Sequence, residues 1–150
     1  FARDGLDPAR IRIAPYAATV AEALRGYAAV DIALDTTPYN GTTTTCEALR
    51  MGAPAVTRAG VTPAGRVGQS LLTGAGHPEW IAADADTYVA LAVDLASDRA
   101  RLGGIRARLR GELFASELGD VAGLARAMER ALRAIWESRG RERPPAQKPT

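Results

Sequence analysis

A run of four threonines, set between a glycine turn and an apolar-periodic helix in Asp35 to Gly52 (DTTPYNGTTTTCEALRMG), constrains this chain more than any other stretch. Val30 to Leu34 reads as a buried strand. Pro38, Asn40 and Gly41 read as a turn in which Gly41 takes backbone angles closed to other residues. Thr44 followed by Glu47 is a T-x-x-E capping box, with Ala48, Leu49 and Met51 as the apolar positions behind it. The first amides of such a helix have no internal partner, and the helix dipole adds roughly half a positive charge there. A phosphate is a natural occupant of that end, and the hydroxyls of Thr42 to Thr45 add uncharged donors. Two readings therefore stand together: a phosphate cradle built on Gly41, Thr42, Thr43 and Thr44, and an ordinary capped turn of an α/β protein.

The surrounding pattern alternates in the same way. Arg10 to Ala14 is a strand candidate, Thr19 to Ala29 a helix, Ala53 to Thr57 a strand after the Gly52 stop, and Arg66 to Leu72 a short helix. Ile81 to Ala83 is a brief strand, and Asp84 is placed to cap a helix from Ala85 to Ala96. Strands alternating with helices imply a parallel sheet, whose ligands bind outside the carboxyl ends of the strands. The threonine turn and the loop after Thr57 both lie at such ends and are expected to face one crevice. From Asp98 onward only helices are expected, over Arg99 to Phe114 and Val121 to Glu137. The second carries Val121, Leu124, Met128, Ala131, Leu132 and Ile135 at helical spacing, beside Trp136. That apolar face needs a cover, either this domain or a further one. The expected domain is residues 1–137, and the charged, proline-rich tail 138–150 is expected to be disordered.

Charge and cysteine usage exclude several classes. Net charge is +2, and the arginines at 99, 101, 106, 108 and 110 are flanked by Asp98 and Glu112, so they read as a solvated helix face and not a nucleic-acid surface. Cys46 is the only cysteine, which rules out an internal disulfide and a cysteine-based zinc cage; inside an apolar helix it reads as a packed residue and not a nucleophile. No apolar run approaches the roughly 18 residues of a membrane span, and no signal-like start is visible, so no membrane role and a cytoplasmic location are expected. The sequence opens at Phe1 without a methionine, which leads us to expect a longer protein.

With these residues in place, a resemblance can be stated. VDIALDTTPYNGTTTTCEALRMGAPAVTRAG followed by GRVGQSLL resembles the C-terminal catalytic half of the O-linked N-acetylglucosamine transferase and SPINDLY family. The likeness continues through WIAADADTYVALAVDLASD, RLGGIRARLRGELFASELGD and ARAMERALRAIW, covering Phe1 to Glu137. It implies a two-domain GT-B glycosyltransferase whose C-terminal Rossmann-like domain, ending in helices, holds a nucleotide sugar, usually UDP-N-acetylglucosamine. The acceptor it implies is a protein serine or threonine hydroxyl, with an N-terminal GT-B domain and tetratricopeptide repeats preceding this part. It places the diphosphate at Thr43 and Thr44 and a ribose hydroxyl at Glu47, which then has two candidate tasks, cap and ribose ligand, the second favoured. Arg66 matches an arginine of the family and either approaches the nucleotide or fixes the 57 to 66 loop, the structural role being favoured for a buried arginine.

No metal or other cofactor is implied, since N–H groups, hydroxyls and a positive side chain can stabilise a leaving diphosphate. No catalytic base is identified. The chain also departs from the family. The histidine that stacks on the nucleotide base is replaced by Ala23 in Glu22-Ala23-Leu24, Gly65 stands where serine is frequent, and Arg50 where tryptophan is. His77, the only histidine, reads as a surface or loop residue, Tyr39 as a buried turn aromatic, Asp31 as structural, and Asp35 as the residue that ties the turn by accepting backbone N–H bonds. Two alternatives remain at this level: a non-catalytic nucleotide-binding or scaffold module, favoured by Ala23, and a related transferase that uses GDP-fucose.

Overall fold

The computed structural model describes residue 3 and residues 5–141. Its centre is a three-stranded sheet in the order β1 (Ala33–Leu34), β2 (Ala55–Arg58), β3 (Ile81–Ala82). Both pairings are parallel, with Ala33 opposite Ala55 and Thr57 opposite Ile81. Parallel strands need crossovers, and two helices supply them: α2 (Thr43–Arg50) between β1 and β2, and α3 (Val67–Gly74) between β2 and β3. An earlier helix, α1 (Val20–Gly26), precedes the sheet, and α4 (Ala85–Ser97), α5 (Arg99–Ala115) and α6 (Val121–Arg141) follow it.

The expected α/β, Rossmann-like parallel sheet is therefore present. Its core joins Leu49 of α2, Val56 of β2, Leu72 of α3, Trp80, Leu95 of α4 and Leu109 of α5, all buried. Gly52 stops α2 in the left-handed region at φ 82°, and a Cβ there would meet the Arg106 carbonyl at 2.8 Å, so both backbone angle and packing demand glycine. Asp84 and Asp98 cap α4 and α5 by accepting from the amides of Thr87 and Arg101, at 2.7 and 2.9 Å.

Several expectations need correction. Arg10 to Ala14 is not a strand: Pro8–Arg10 is a 3-10 turn capped by Asp7, and Ile13 is 89% exposed, with no strand among the described residues to pair it. The strand expected from Val30 begins only at Ala33, because the Arg106 guanidinium donates to the carbonyls of Val30 and Asp31 and turns them away from a ladder. β1 is an edge strand, so Leu34 is exposed and not buried. The capping box at Thr44 and Glu47 does not form. The N-cap of α2 is Thr42, two residues before the Thr44 that the box requires, and Glu47 is then too far along to reach back to the first turn. The T-x-x-E box that does form is Thr19 with Glu22, at the start of α1. At the other end α6 runs on through Ser138 to Arg141, past the expected boundary at 137, while residues 142–150 of the expected disordered tail lie outside the described residues.

Candidate functional site

The turn between β1 and α2 is held by a small buried polar hub. Asp35, the residue after β1, is nearly buried; its Oδ1 accepts from the Gly41 amide at 2.7 Å and its Oδ2 from the Thr57 hydroxyl at 2.7 Å. Asn40 is buried as well, donating from Nδ2 to the Thr36 carbonyl at 2.9 Å and accepting at Oδ1 from the Gly68 amide at 3.2 Å. Buried polar groups of this kind persist only when paired; here Asp35–Gly41 and Asn40–Thr36 close the turn itself, while Asp35–Thr57 and Asn40–Gly68 tie it to β2 and α3. The expected role of Asp35 is what is seen. The parts played by Asn40 and Thr57 were not anticipated, because a buried Asn in a turn carries no local signal of the residue 28 positions away that it meets.

Gly41 is required for a reason other than the one expected. Its φ is not in the left-handed region, but a Cβ on it would lie 2.3 Å from Thr44 Oγ1 and 3.0 Å from Thr45 Oγ1. The glycine lets the threonine side chains fold back over the turn, and Thr45 Oγ1 donates to the Gly41 carbonyl at 2.9 Å. Gly41 spends its own amide on Asp35. The first turn of α2 is left open: Thr42 at the N-cap makes no side-chain capping bond, and Thr42, Thr43 and Thr44 are exposed. The amides of this first turn have no intrahelical acceptor. Below it, a cavity of about 130 Å³ is lined by Tyr27, Asp35, Gly41, Thr44 and Thr45 among others.

Glu47 is half-buried, and its Oε2 accepts from the Tyr27 hydroxyl at 3.3 Å; the same hydroxyl lies 3.1 Å from the Thr44 carbonyl. Burial, and then the negative charge of Glu47, push the Tyr27 phenol above its ordinary range, so it is a donor at neutral pH. Cys46 is half-buried beside it; burial and then Glu47 raise its thiol, which fits a packed residue.

The expectation that the threonine turn and the loop after Thr57 share one crevice holds only for the start of the first loop, since Gly41, Thr44 and Thr45 line the smaller cavity instead. A cavity of about 360 Å³ at the carboxyl edge of the sheet is lined by Thr37, Pro38 and Asn40 from the first loop, Arg58 to Thr62 and Gly65 from the second, and Ala83 to Ala85 after β3. Gly65 is buried there, and a Cβ on it would sit 2.9 Å from the Pro38 carbonyl, so a serine has no room. Arg66 is not part of this arrangement. It is exposed and not buried, stands at the N-cap of α3, and lines a separate depression with Gln69, Ser70, Thr73, Gly74 and Glu117.

Other residues also differ from expectation. Tyr39 is 73% exposed, since Asn40 and not the aromatic fills the turn. Asp31 lies outside β1 with its carboxylate in solvent, 4.0 Å from Arg106. His77 is a loop residue, as expected, with its ring stacked on Trp80 at 4.1 Å and Nδ1 3.0 Å from Glu79. Ala23 is exposed on α1, one turn before Tyr27. Among the described residues no three His, Cys, Asp or Glu side chains group as a metal site, and no helix is long and apolar enough to cross a membrane.

A parallel sheet with a crevice at its carboxyl edge and an open helix terminus beside it defines a Rossmann-like domain. The chain belongs to glycosyl transferase family 41, which matches residues 1–128. It is 43% identical over 132 residues to a probable UDP-N-acetylglucosamine–peptide N-acetylglucosaminyltransferase SPINDLY of Oryza sativa, covering 88% of this chain and 14% of that protein. A UDP-N-acetylglucosamine–peptide N-acetylglucosaminyltransferase of Caenorhabditis elegans is 38% identical over 133 residues, 89% of this chain and 12% of that one. A mutant O-GlcNAc transferase of Thermobaculum terrenum superposes with a TM-score of 0.74 at 36% identity, over 84% of this chain and 24% of that one. The resemblance drawn from the motifs is thus borne out, and so is the expected fold of a GT-B glycosyltransferase half. The chain spans only about a seventh of the length of the rice relative.

Proposed function

We propose that this chain is the donor-binding part of an O-GlcNAc transferase-like enzyme, holding UDP-N-acetylglucosamine for transfer of the sugar to serine or threonine hydroxyls of proteins. The observation that carries this reading is the open first turn of α2, where Thr43 and Thr44 are exposed and Glu47 stands half-buried one turn on. The α2 amides and the Thr43 and Thr44 hydroxyls receive the diphosphate, and Glu47 accepts from a ribose hydroxyl. In the reaction the bond from the sugar's anomeric carbon to the diphosphate breaks, UDP leaves with the electron pair, and the acceptor oxygen forms the new bond while losing its proton. Amides and hydroxyls fixed in advance at the diphosphate stabilise the charge that grows on it, and the reading invokes no metal. The acceptor side of the cleft and the proton acceptor belong to a preceding GT-B domain in this reading. It also predicts a cytoplasmic enzyme, like the expectation from the sequence.

Ala23 supports a second reading, a nucleotide-binding or scaffold module without catalysis. A methyl group exposed on α1 offers a base neither a ring nor a donor. Titrating the full-length protein with UDP, and with GDP as the competing donor base, tests the donor site, and release of UDP from UDP-N-acetylglucosamine separates a transferase from a module that binds without catalysis. The transferase reading expects UDP to bind, Thr44→Val to weaken it about tenfold, the effect of one lost hydrogen bond to an anion, and Ala23→His to strengthen it by a similar factor. No measurable UDP binding in either the parent or Ala23→His removes the transferase reading, and preferential GDP binding replaces the donor with GDP-fucose.

A further inference from the structure

Among the described residues, Tyr27 is the one outside the α2 turn whose side chain reaches both the turn backbone and Glu47. Its hydroxyl lies 3.1 Å from the Thr44 carbonyl and 3.3 Å from Glu47 Oε2, so a single proton is shared between the first turn of α2 and the carboxylate. It sits at the C-cap of α1, four residues after Ala23, which places Ala23 and Tyr27 on one helical face. The ring lines the cavity beneath the turn together with Thr44, Thr45 and Gly41.

We infer that Tyr27 is a positioning residue for nucleotide binding: it holds the Glu47 carboxylate in the orientation that accepts a ribose hydroxyl and ties α1 to the amino end of α2. This rests on the reading of Glu47 given above. A glutamate on a half-exposed helix face has three rotatable bonds, and fixing one oxygen on a phenol removes most of that freedom before the ligand arrives. Oε2 is the oxygen that faces Tyr27, which leaves Oε1 to accept from the ribose. The phenol is also a neutral donor throughout the physiological range, so the carboxylate keeps its charge while being held.

The test compares UDP with 2′,3′-dideoxy-UDP by calorimetry in the full-length parent, in Tyr27→Phe and in Glu47→Gln. The parent is expected to favour UDP by about tenfold or more, the ratio that one hydrogen bond to a carboxylate confers. Tyr27→Phe should reduce that ratio at least threefold, because UDP loses more affinity than dideoxy-UDP does. If both ligands weaken equally and the ratio persists, Tyr27 is merely structural and the inference is overturned. If Glu47→Gln leaves the ratio at its parental value, the ribose reading itself falls, a failure distinct from that of Tyr27. Should Tyr27→Phe not fold, the ratio is read in Tyr27→Leu, which likewise lacks the donor: a reduced preference supports positioning and a kept one overturns it.

Discussion

Thr57 donates its hydroxyl to Asp35 across 2.7 Å, joining the middle of β2 to the exit of β1 at a point where both side chains are buried. The carboxylate then has its other oxygen free to fix Gly41, so the path of the turn toward α2 depends on a contact made in the sheet. Thr57→Val keeps the shape and leaves Oδ2 of a buried carboxylate unpaired. It should destabilise the protein by about 1–3 kcal/mol. Asp35→Ala should cost at least as much, and the double variant should cost less than the sum, because the two act through one bond. Chemical denaturation of the four proteins checks this, and strict additivity would show that the bond contributes nothing.

Gly68 presses α3 onto that same pair. A Cβ there would sit 2.2 Å from Thr57 Oγ1 and 2.3 Å from Asp35 Oδ2, so Gly68→Ala should lower stability by about 1–3 kcal/mol through overpacking. Gly111, exposed in α5, is the control, because an added methyl group would meet nothing within 4 Å: Gly111→Ala should raise stability by about 0.5–1 kcal/mol. Thermal melts of the two variants should therefore move in opposite directions, and a shared direction would contradict the packing described for α3.

What was legible in the sequence was what is local. Asp84 caps a helix whose third residue is Thr87, and Gly52 stops one within its own turn, so nearest neighbours were enough. The β-α-β alternation and, in part, the shared crevice followed from it. What was not legible was set by residues far along the chain. Arg106 shortens β1 from 76 positions away, and Tyr27 meets the Glu47 carboxylate from 20 positions away. The threonine run offered several possible helix starts, and the packing of Thr45, Ala48 and Leu49 into the core chose among them. Ile13 read as part of a strand and Leu34 as the end of a buried one, yet the first has no strand beside it among the described residues and the second lies on a sheet edge.

Stability should fall in alkali through two tyrosines. Tyr88 donates to the Asp35 carbonyl at 2.9 Å, and burial, followed by the charge of Asp35, raises its phenol above the ordinary 10.0; Tyr27 is raised in the same direction by burial and then by Glu47. In the unfolded chain both phenols lose their protons near the ordinary value, while the folded chain still holds them. The unfolded state thus binds fewer protons, and stability is complete below about pH 10 and is lost as pH rises through the folded values. Denaturation midpoints measured from pH 8 to 11 should be flat and then decline, and the decline should be shallower in Tyr88→Phe, whose ring remains but cannot ionise. A decline of the same steepness in Tyr88→Phe would remove Tyr88 as a contributor.

Helix α6 should be nearly independent of the sheet domain in energetic terms. Its apolar stripe of Val121, Leu124, Met128, Leu132 and Ile135 is exposed, with Leu132 at 62%, whereas Leu109 on α5 is fully buried in the core. Hydrophobic stabilisation follows area removed from water, so a side chain that stays wet contributes little. Leu132→Ser should accordingly change the unfolding free energy of this chain by no more than about 0.5 kcal/mol, while Leu109→Ala should cost about 2–5 kcal/mol. If Leu132→Ser proves as damaging as Leu109→Ala, the stripe is covered in solution, and the apolar face of α6 is then part of a core and not a surface.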